Sequence, residues 1–208
     1  LPPRQQLSLD DLISRFTART QRSKEMTEKY RSVLADPRAA AGFRLQWKEL
    51  IYPIIVERSS GSKLWDVDGN EYVDMLNGFG VTLFGHTPDF VNNAVAEQLQ
   101  RGYEIGPMSD LAGEVASLIC ELTGNERVTF CNTGSEAVQG ALRLARTVTG
   151  RNLVATFAGD YHGGFDEVLV RSNNSDGFIR TAPVAPGIPQ ESVDNILVLD
   201  YGKPESLQ

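Results

Sequence analysis

The sequence predicts an α/β fold in which strands alternate with helices around a mainly parallel sheet. Three observations carry this. From Asp89 onward, segments of helical apolar spacing alternate with short β-rich runs. A β-hairpin signal precedes that alternation, and a Gly-Ser turn joins a strand to a helix inside it.

Ser8 precedes Leu9-Asp10-Asp11, so the spacing predicts a helix that starts at Ser8, with Asp11 closing a capping box. Leu9, Leu12, Ile13 and Phe16 form its apolar face. The pattern then turns polar to Lys29, and Asp36-Pro37 marks a stop, because the residue before proline avoids helical backbone. Residues 1–40 read as a linker with a surface helix. Leu64-Trp65-Asp66-Val67 and Tyr72-Val73-Asp74-Met75 flank Asp68-Gly69-Asn70, a hairpin signal resting on glycine's tolerance of positive φ. The following Asn77-Gly78-Phe79-Gly80 holds Gly-x-Gly, but Leu83 replaces a third glycine, so no dinucleotide fingerprint is read there.

Val91, Ala94, Val95 and Leu99 make one helical face, and Leu111, Val115, Leu118, Ile119 and Leu122 another, closed by Gly124. Val128–Cys131 reads as a strand. A helix follows from Glu136 to Thr149, with Ala137, Ala141, Leu142 and Ala145 inward. Leu153–Phe157, Val168–Val170 and Ile196–Leu199 are the next strands, and glycines, prolines and asparagines make 172–192 a long loop.

Composition bounds the function. The 208 residues carry 20 Lys+Arg against 27 Asp+Glu, a net charge of −7, which argues against a nucleic-acid footprint. No apolar run reaches the roughly 18 residues of a membrane span, and Leu1-Pro2-Pro3-Arg4 lacks the apolar core of a signal peptide. Cys120 and Cys131 make no disulfide framework or zinc pattern, which points to a reducing, cytoplasmic setting. No Gly-x-Ser-x-Gly elbow is present.

Two stretches carry candidate chemistry. Phe130-Cys131-Asn132-Thr133-Gly134-Ser135-Glu136 runs from a strand into a helix, whose first N–H groups and positive dipole end suit a phosphate. The plain alternative is that Ser135 only caps the helix. Gly159-Asp160-Tyr161-His162-Gly163-Gly164 follows the next strand, where parallel sheets gather ligands, and Tyr161 offers a flat ring for stacking on a cofactor. Its alternative is a glycine-rich turn with a tyrosine at its rim.

Taken together, Asn132–Ala137, Arg143-Leu144-Ala145-Arg146, Thr149-Gly150-Arg151 and Tyr161-His162-Gly163 resemble the class III pyridoxal-phosphate aminotransferases. Trp65–Tyr72 and Gly85-His86 match the same family, and glutamate-1-semialdehyde aminomutase is similar in pattern. Ala41-Gly42-Phe43-Arg44 and Gly80–His86 resemble a narrower group, the aminotransferase domains of hybrid polyketide/nonribosomal-peptide synthetases of the microcystin and nodularin type.

The resemblance implies an aspartate-aminotransferase-like PLP-transferase fold, incomplete here. Residues 1–40 would be a linker after a carrier domain, 41–88 part of a small domain, and 89–208 the first half of the large cofactor-binding domain. It implies pyridoxal 5′-phosphate as cofactor, with Thr133, Gly134 and Ser135 at its phosphate, Tyr161 on its ring and His162 nearby. Arg44 would meet a substrate carboxylate and Phe79 the substrate; the alternatives are a surface arginine and an ordinary core phenylalanine. It implies amino transfer from an amino-acid donor to a keto group of a carrier-bound acyl thioester, in a homodimeric domain within a megasynthase. An aminomutase and a non-catalytic docking module are the rivals. None of Lys24, Lys29, Lys48, Lys63 or Lys203 stands in the context of the family's cofactor-anchoring lysine, so the expectation is half a domain, inactive alone.

Overall fold

A helix begins where backbone donors can go unpaired at least cost, and Pro3 has no N–H to leave unpaired. In the computed structural model, which describes residues 1–36, 43–103, 106–173 and 180–207, helix α1 therefore spans Pro3–Arg19. This corrects the expected start at Ser8: that side chain lies inside the helix and donates to the Arg4 carbonyl at 3.0 Å. Thr20 breaks the axis (φ −127°, ψ 36°), and α2 (Gln21–Tyr30) follows with Thr20 and Ser23 buried. Ala41 and Gly42, two residues of the family-like Ala41–Arg44 stretch, lie outside the described residues, as does Pro37.

Strands β1 (Val56–Ser60), β2 (Lys63–Asp66) and β3 (Glu71–Val73) form an antiparallel sheet in that order. The predicted hairpin is β2–β3, with Lys63 opposite Val73 and Trp65 opposite Glu71. The Arg58 guanidinium stacks 3.6 Å above the Trp65 ring from the neighbouring strand β1. Helix α3 (Asp89–Arg101) follows.

The hairpin turn ties this unit together. Asp66 is fully buried, and its carboxylate accepts from the Tyr72 hydroxyl (2.7 Å), the Asn70 side chain (2.8 Å) and the backbone N–H groups of Asn70 and Asp68. Burial alone would push this carboxyl up; the donors from Asn70, Tyr72 and Asp68 outweigh it and hold it below its ordinary value. Burial and the bond to Asp66 push Tyr72 up to about 12. Asp68 reaches back 45 residues to cap α2, accepting from the N–H groups of Arg22 (2.7 Å) and Ser23 (3.1 Å) and from the Ser23 hydroxyl (3.0 Å). A carboxylate there also meets the positive end of the helix dipole. Arg22 donates to the Val67 carbonyl, and Arg19 and Asn70 exchange two further bonds. Thr20 and Tyr52 hydroxyls meet at 2.7 Å, and the Phe16 and Tyr52 rings lie 5.4 Å apart.

The chain divides into two units, Leu1–Pro107 and Met108–Gln208, a division that places α3 with the hairpin. The second unit holds α4 (Leu111–Thr123), α5 (Gly134–Thr149), β4 (Val154–Phe157), β5 (Val170–Asn173), β6 (Arg180–Pro183) and β7 (Ile196–Leu199). Its parallel component is β4 beside β7, with Val154 opposite Ile196 and Phe157 opposite Leu199. β5 and β6 pair antiparallel. Val168, Ile188, Val193, Ile196, Val198 and Leu199 are buried and form its core. Burying each is worth about 1.5–3 kcal/mol.

Three expectations need correction. Val128–Cys131 lies in no strand, because no described strand runs beside it to complete a ladder. The strand expected at Val168–Val170 starts only at Val170; Val168 ends a short 3₁₀ turn. The predicted loop 172–192 contains β6, anchored by the Thr181 hydroxyl on the Ile196 carbonyl (2.5 Å); its residues 174–179 lie outside the described residues. The helices α3, α4 and α5 form where their periodicity places them, yet none has a fully buried residue: Leu99, Leu118 and Leu144 are all more than half exposed.

Both tryptophans, Trp47 and Trp65, lie in the first unit, so their fluorescence follows that unit alone. Asp66→Ala strands four donors and is expected to cost the first unit about 3 kcal/mol in urea titrations read by tryptophan emission. The folded Asp66 carboxyl lies below its unfolded value. Its contribution is therefore complete above the unfolded carboxylate pKa of about 3.9 and is lost as pH falls through the folded value. In acid titrations read by the same emission, Asp66→Asn is expected to flatten the wild-type loss of stability below about pH 4.

Candidate cofactor site

The second unit gathers the family-like residues around the start of α5. The helix opens with Thr133 as N-cap: its hydroxyl accepts from the Glu136 N–H (3.2 Å), while the Glu136 carboxylate accepts from the N–H groups of Asn132 (2.8 Å) and Thr133 (3.2 Å). The plain alternative for Ser135 is thereby overturned. It is not the cap but a residue of the first turn, so its hydroxyl is available for a longer-range contact. Ser135 Oγ accepts from the Gly164 N–H at 2.9 Å, joining the two candidate stretches across 29 residues.

That contact depends on Gly163, whose φ of +134° an L side chain rarely adopts. A Cβ there would stand 2.9 Å from the Phe165 ring and 3.2 Å from the Ser135 Cα. A methyl on Gly164 would lie 3.5 Å from the Tyr161 hydroxyl oxygen and 3.9 Å from Ser135 Oγ. Tyr161, Gly163, Gly164 and Ser135 thus occupy one neighbourhood, with the Tyr161 side chain largely exposed. Tyr161–Gly164 follows β4, whose position β7 fixes; the Ala158 N–H continues the ladder onto the Leu199 carbonyl. Arg146 braces the far end of α5, donating to the Asn152 carbonyl at 2.9 Å and pairing with Glu167 at 2.5 Å.

These residues fit a phosphorylated ring cofactor on three observations. The Gly134 and Ser135 N–H groups donate to no group among the described residues, as is general for the first donors of a helix, and so can receive an anion. Open space lies over Gly134, where an added Cβ would meet nothing within 4 Å. Two buried polar atoms nearby in sequence, His162 Nε2 and Thr156 Oγ1, have no partner among the described residues. Thr156 was not a sequence candidate; a threonine inside an apolar strand run was the available signal. Gly164 was also missed as a contact, since only the fold shows its N–H meeting Ser135.

The substrate candidates lie in the first unit. Arg44 is exposed and precedes a short 3₁₀ segment, Leu45–Leu50, with its guanidinium 5.9 Å from the Trp47 ring centre. Phe79 is 90% exposed, which removes the reading of it as ordinary core. Asn77, Gly78 and Phe79 all take left-handed backbone (φ 52°, 54° and 55°). For asparagine that is tolerated; for phenylalanine it costs about 1–2 kcal/mol. Lys203, the lysine of the second unit, is held on Asp200 at 2.8 Å. Among the described residues no cluster of metal-ligating side chains occurs, and no helix is long and apolar enough to cross a membrane.

Comparison with known proteins shows the family and the fold. The family model for aminotransferase class III matches residues 46–201. Glutamate-1-semialdehyde 2,1-aminomutase of Deinococcus radiodurans is 40% identical over 161 residues, covering 74% of this chain and 36% of that protein. An omega-transaminase from Sphaerobacter thermophilus superposes with a TM-score of 0.76 at 30% identity, over 89% of this chain and 43% of that one. A glutamate-1-semialdehyde aminomutase from Pseudomonas aeruginosa, in complex with PMP, shares the fold at a TM-score of 0.76 and 24% identity, over 96% of this chain and 43% of that one. The chain therefore spans just over a third of the curated relative it matches and under half of each solved structure. By the match over residues 46–201 and the shared fold, this chain belongs to the class III aminotransferases, whose fold is that of the PLP-dependent transaminases.

Proposed function

We propose that this chain supplies the phosphate grip and one ring face of a pyridoxal-phosphate site, in an enzyme that relocates an amino group within one substrate. The observation that carries the cofactor assignment is the pair of unpartnered N–H groups at Gly134 and Ser135, latched to the Tyr161–Gly164 loop through Ser135 Oγ. The 40% identity to a glutamate-1-semialdehyde aminomutase favours the intramolecular reaction.

Each residue has a definite task in this reading. The Gly134 and Ser135 N–H groups and the Thr133 side of the turn hold the phosphate, helped by the dipole of a 16-residue helix. Tyr161 lays its ring against the pyridine, and the buried His162 Nε2 awaits a polar partner beside it. Arg44 offers a bidentate guanidinium for a substrate carboxylate, and Phe79 an apolar surface for the substrate chain. Bound pyridoxal phosphate supplies an electron sink for charge that develops next to the substrate nitrogen. The lysine that anchors it is not among the five of this sequence by context.

A second reading is amino transfer from an amino-acid donor to a keto group on a carrier-bound acyl chain, within a cytoplasmic polyketide/peptide megasynthase and in homodimeric form. The likeness to an omega-transaminase supports it, as does the stretch Gly80–His86. The two readings separate on one assay of the protein as encoded, with whatever chain continues past Gln208. Turnover with no amino-acid donor present is the expected outcome; strict donor dependence would select the second reading.

Two variants test the site itself by equilibrium dialysis of pyridoxal phosphate. Gly163→Ala forces a Cβ into Phe165 and Ser135, so affinity is expected to fall about tenfold. Gly140→Ala, in open space on α5, should leave it unchanged. Tyr161→Ala removes the stacking face, with an expected loss of about five- to tenfold; unaltered affinity would take Tyr161 out of the site.

A further inference from the structure

A second carboxylate of the first unit holds the turn that follows β3. Asp74, next after β3, uses Oδ1 to accept from the N–H groups of Leu76 (2.9 Å) and Asn77 (3.0 Å), and Oδ2 to meet His86 Nε2 at 2.7 Å. Both side chains are largely withdrawn from water, 18% exposed for His86 and 9% for Asp74. The Asn77 N–H and the bond to His86 hold the Asp74 carboxyl below its ordinary value. The backbone of His86 is fixed independently: it exchanges two hydrogen bonds with Gly61, at 2.8 and 3.0 Å, in the turn between β1 and β2. Gly85 packs so closely there that an added Cβ would lie 3.0 Å from the Gly61 oxygen. Asp74 is itself tied to the same turn through its N–H on the Ser62 carbonyl (2.8 Å).

The loop between these two anchors contains the left-handed run Asn77-Gly78-Phe79 and, at its tip, the exposed Phe79 ring. It is closed inside by the Thr82 hydroxyl, which donates to Asn77 Oδ1 (2.5 Å), and by the Thr82 N–H on the Asn77 carbonyl (3.3 Å). A phenylalanine in left-handed backbone relaxes unless its surroundings over-determine it. An exposed ring offers no packing to hold it, so the restraint comes from the loop's own bonds, among them the Phe79 N–H on the Leu76 carbonyl (3.0 Å), and from the two anchors that hold its ends.

We propose that His86 is a positioning residue: by gripping Asp74 it keeps the 76–85 loop wound, and so keeps Phe79 presented to the substrate. The presentation half rests on the reading of Phe79 as a substrate-facing residue. The grip half stands on the geometry of the first unit alone. His86 touches no reacting atom in this scheme; it acts through Asp74.

Chymotrypsin reads the loop directly, since it cuts after phenylalanine and its rate follows the population of the open form. In the protein as encoded, His86→Leu is expected to speed cleavage at Phe79–Gly80 about tenfold. Cleavage after Phe130 and the tryptophan unfolding midpoint should stay near wild type. His86→Gln, which keeps a side-chain N–H for Asp74, should restore most of the protection. An unchanged rate in His86→Leu would overturn the grip, and so would acceleration at every site with a lowered midpoint, which marks a general structural role. For the presentation half, Phe79→Ala and His86→Leu should both raise KM severalfold with kcat held within about twofold. A fall in kcat with KM unmoved would overturn it. Failure to bind pyridoxal phosphate in dialysis would remove the reading of the site while leaving the proteolysis result intact.

Discussion

A carboxylate taken out of water must be surrounded by donors, and in the first unit that requirement at Asp66 organises everything near it. Its four donors come from the turn it begins and from β3. Meeting them fixes the turn, and the fixed turn aims Asp68 at the first N–H groups of α2. The helix pair is thereby docked through charge-assisted bonds spanning some 45 residues. An N-terminal segment bound in this way is part of the unit's hydrogen-bond framework, whatever else precedes it in a longer chain.

The same rule, with the opposite outcome, shapes the second unit. There the first donors of α5 are only partly met from within: Thr133 and Glu136 satisfy the cap, and two N–H groups stay available. Asp66 is a polar group supplied with partners by its own fold; Gly134 and Ser135 carry donors that meet none among the described residues. Unlike Asp66, these two donors sit at an accessible helix start, where an anion or water can reach them. His162 Nε2 and Thr156 Oγ1 extend the pattern into the loop and strand that follow.

What the sequence made legible was local. The Asp-Gly turn, the helical spacing of α3 and α4 and the glycine closing α4 could be read because each depends on neighbours within a few residues. The start of α1 was misplaced for the same reason: Ser8 satisfies a capping pattern, but Pro3 offers an earlier start and the helix takes it. Contacts across long separations were not legible. Nothing near Asp68 signals that it caps a helix 45 residues away, and nothing near Ser135 names Gly164 as its donor. The family resemblance named the candidate cofactor residues as a set, without showing that Thr133 caps while Ser135 latches.

The uncovered helix faces bear on how such a site acquires rigidity. Leu99, Leu118, Leu122 and Leu144 are each more than half exposed, and the matched solved structure extends over more than twice the matched length. A cofactor grip needs its donors held to within about half an ångström. In this chain α5 is secured at both ends, by its capping box at the start and by Arg146 on Asn152 and Glu167 near its end. Its flank, by contrast, carries exposed leucine and valine. End anchoring sets the position of the Gly134 and Ser135 donors along the axis, while burial of the flank would set the rotation about it. The hydrogen bonds at its two ends therefore fix α5 along its axis, while Leu144 and Val148 leave its flank open to an apolar cover.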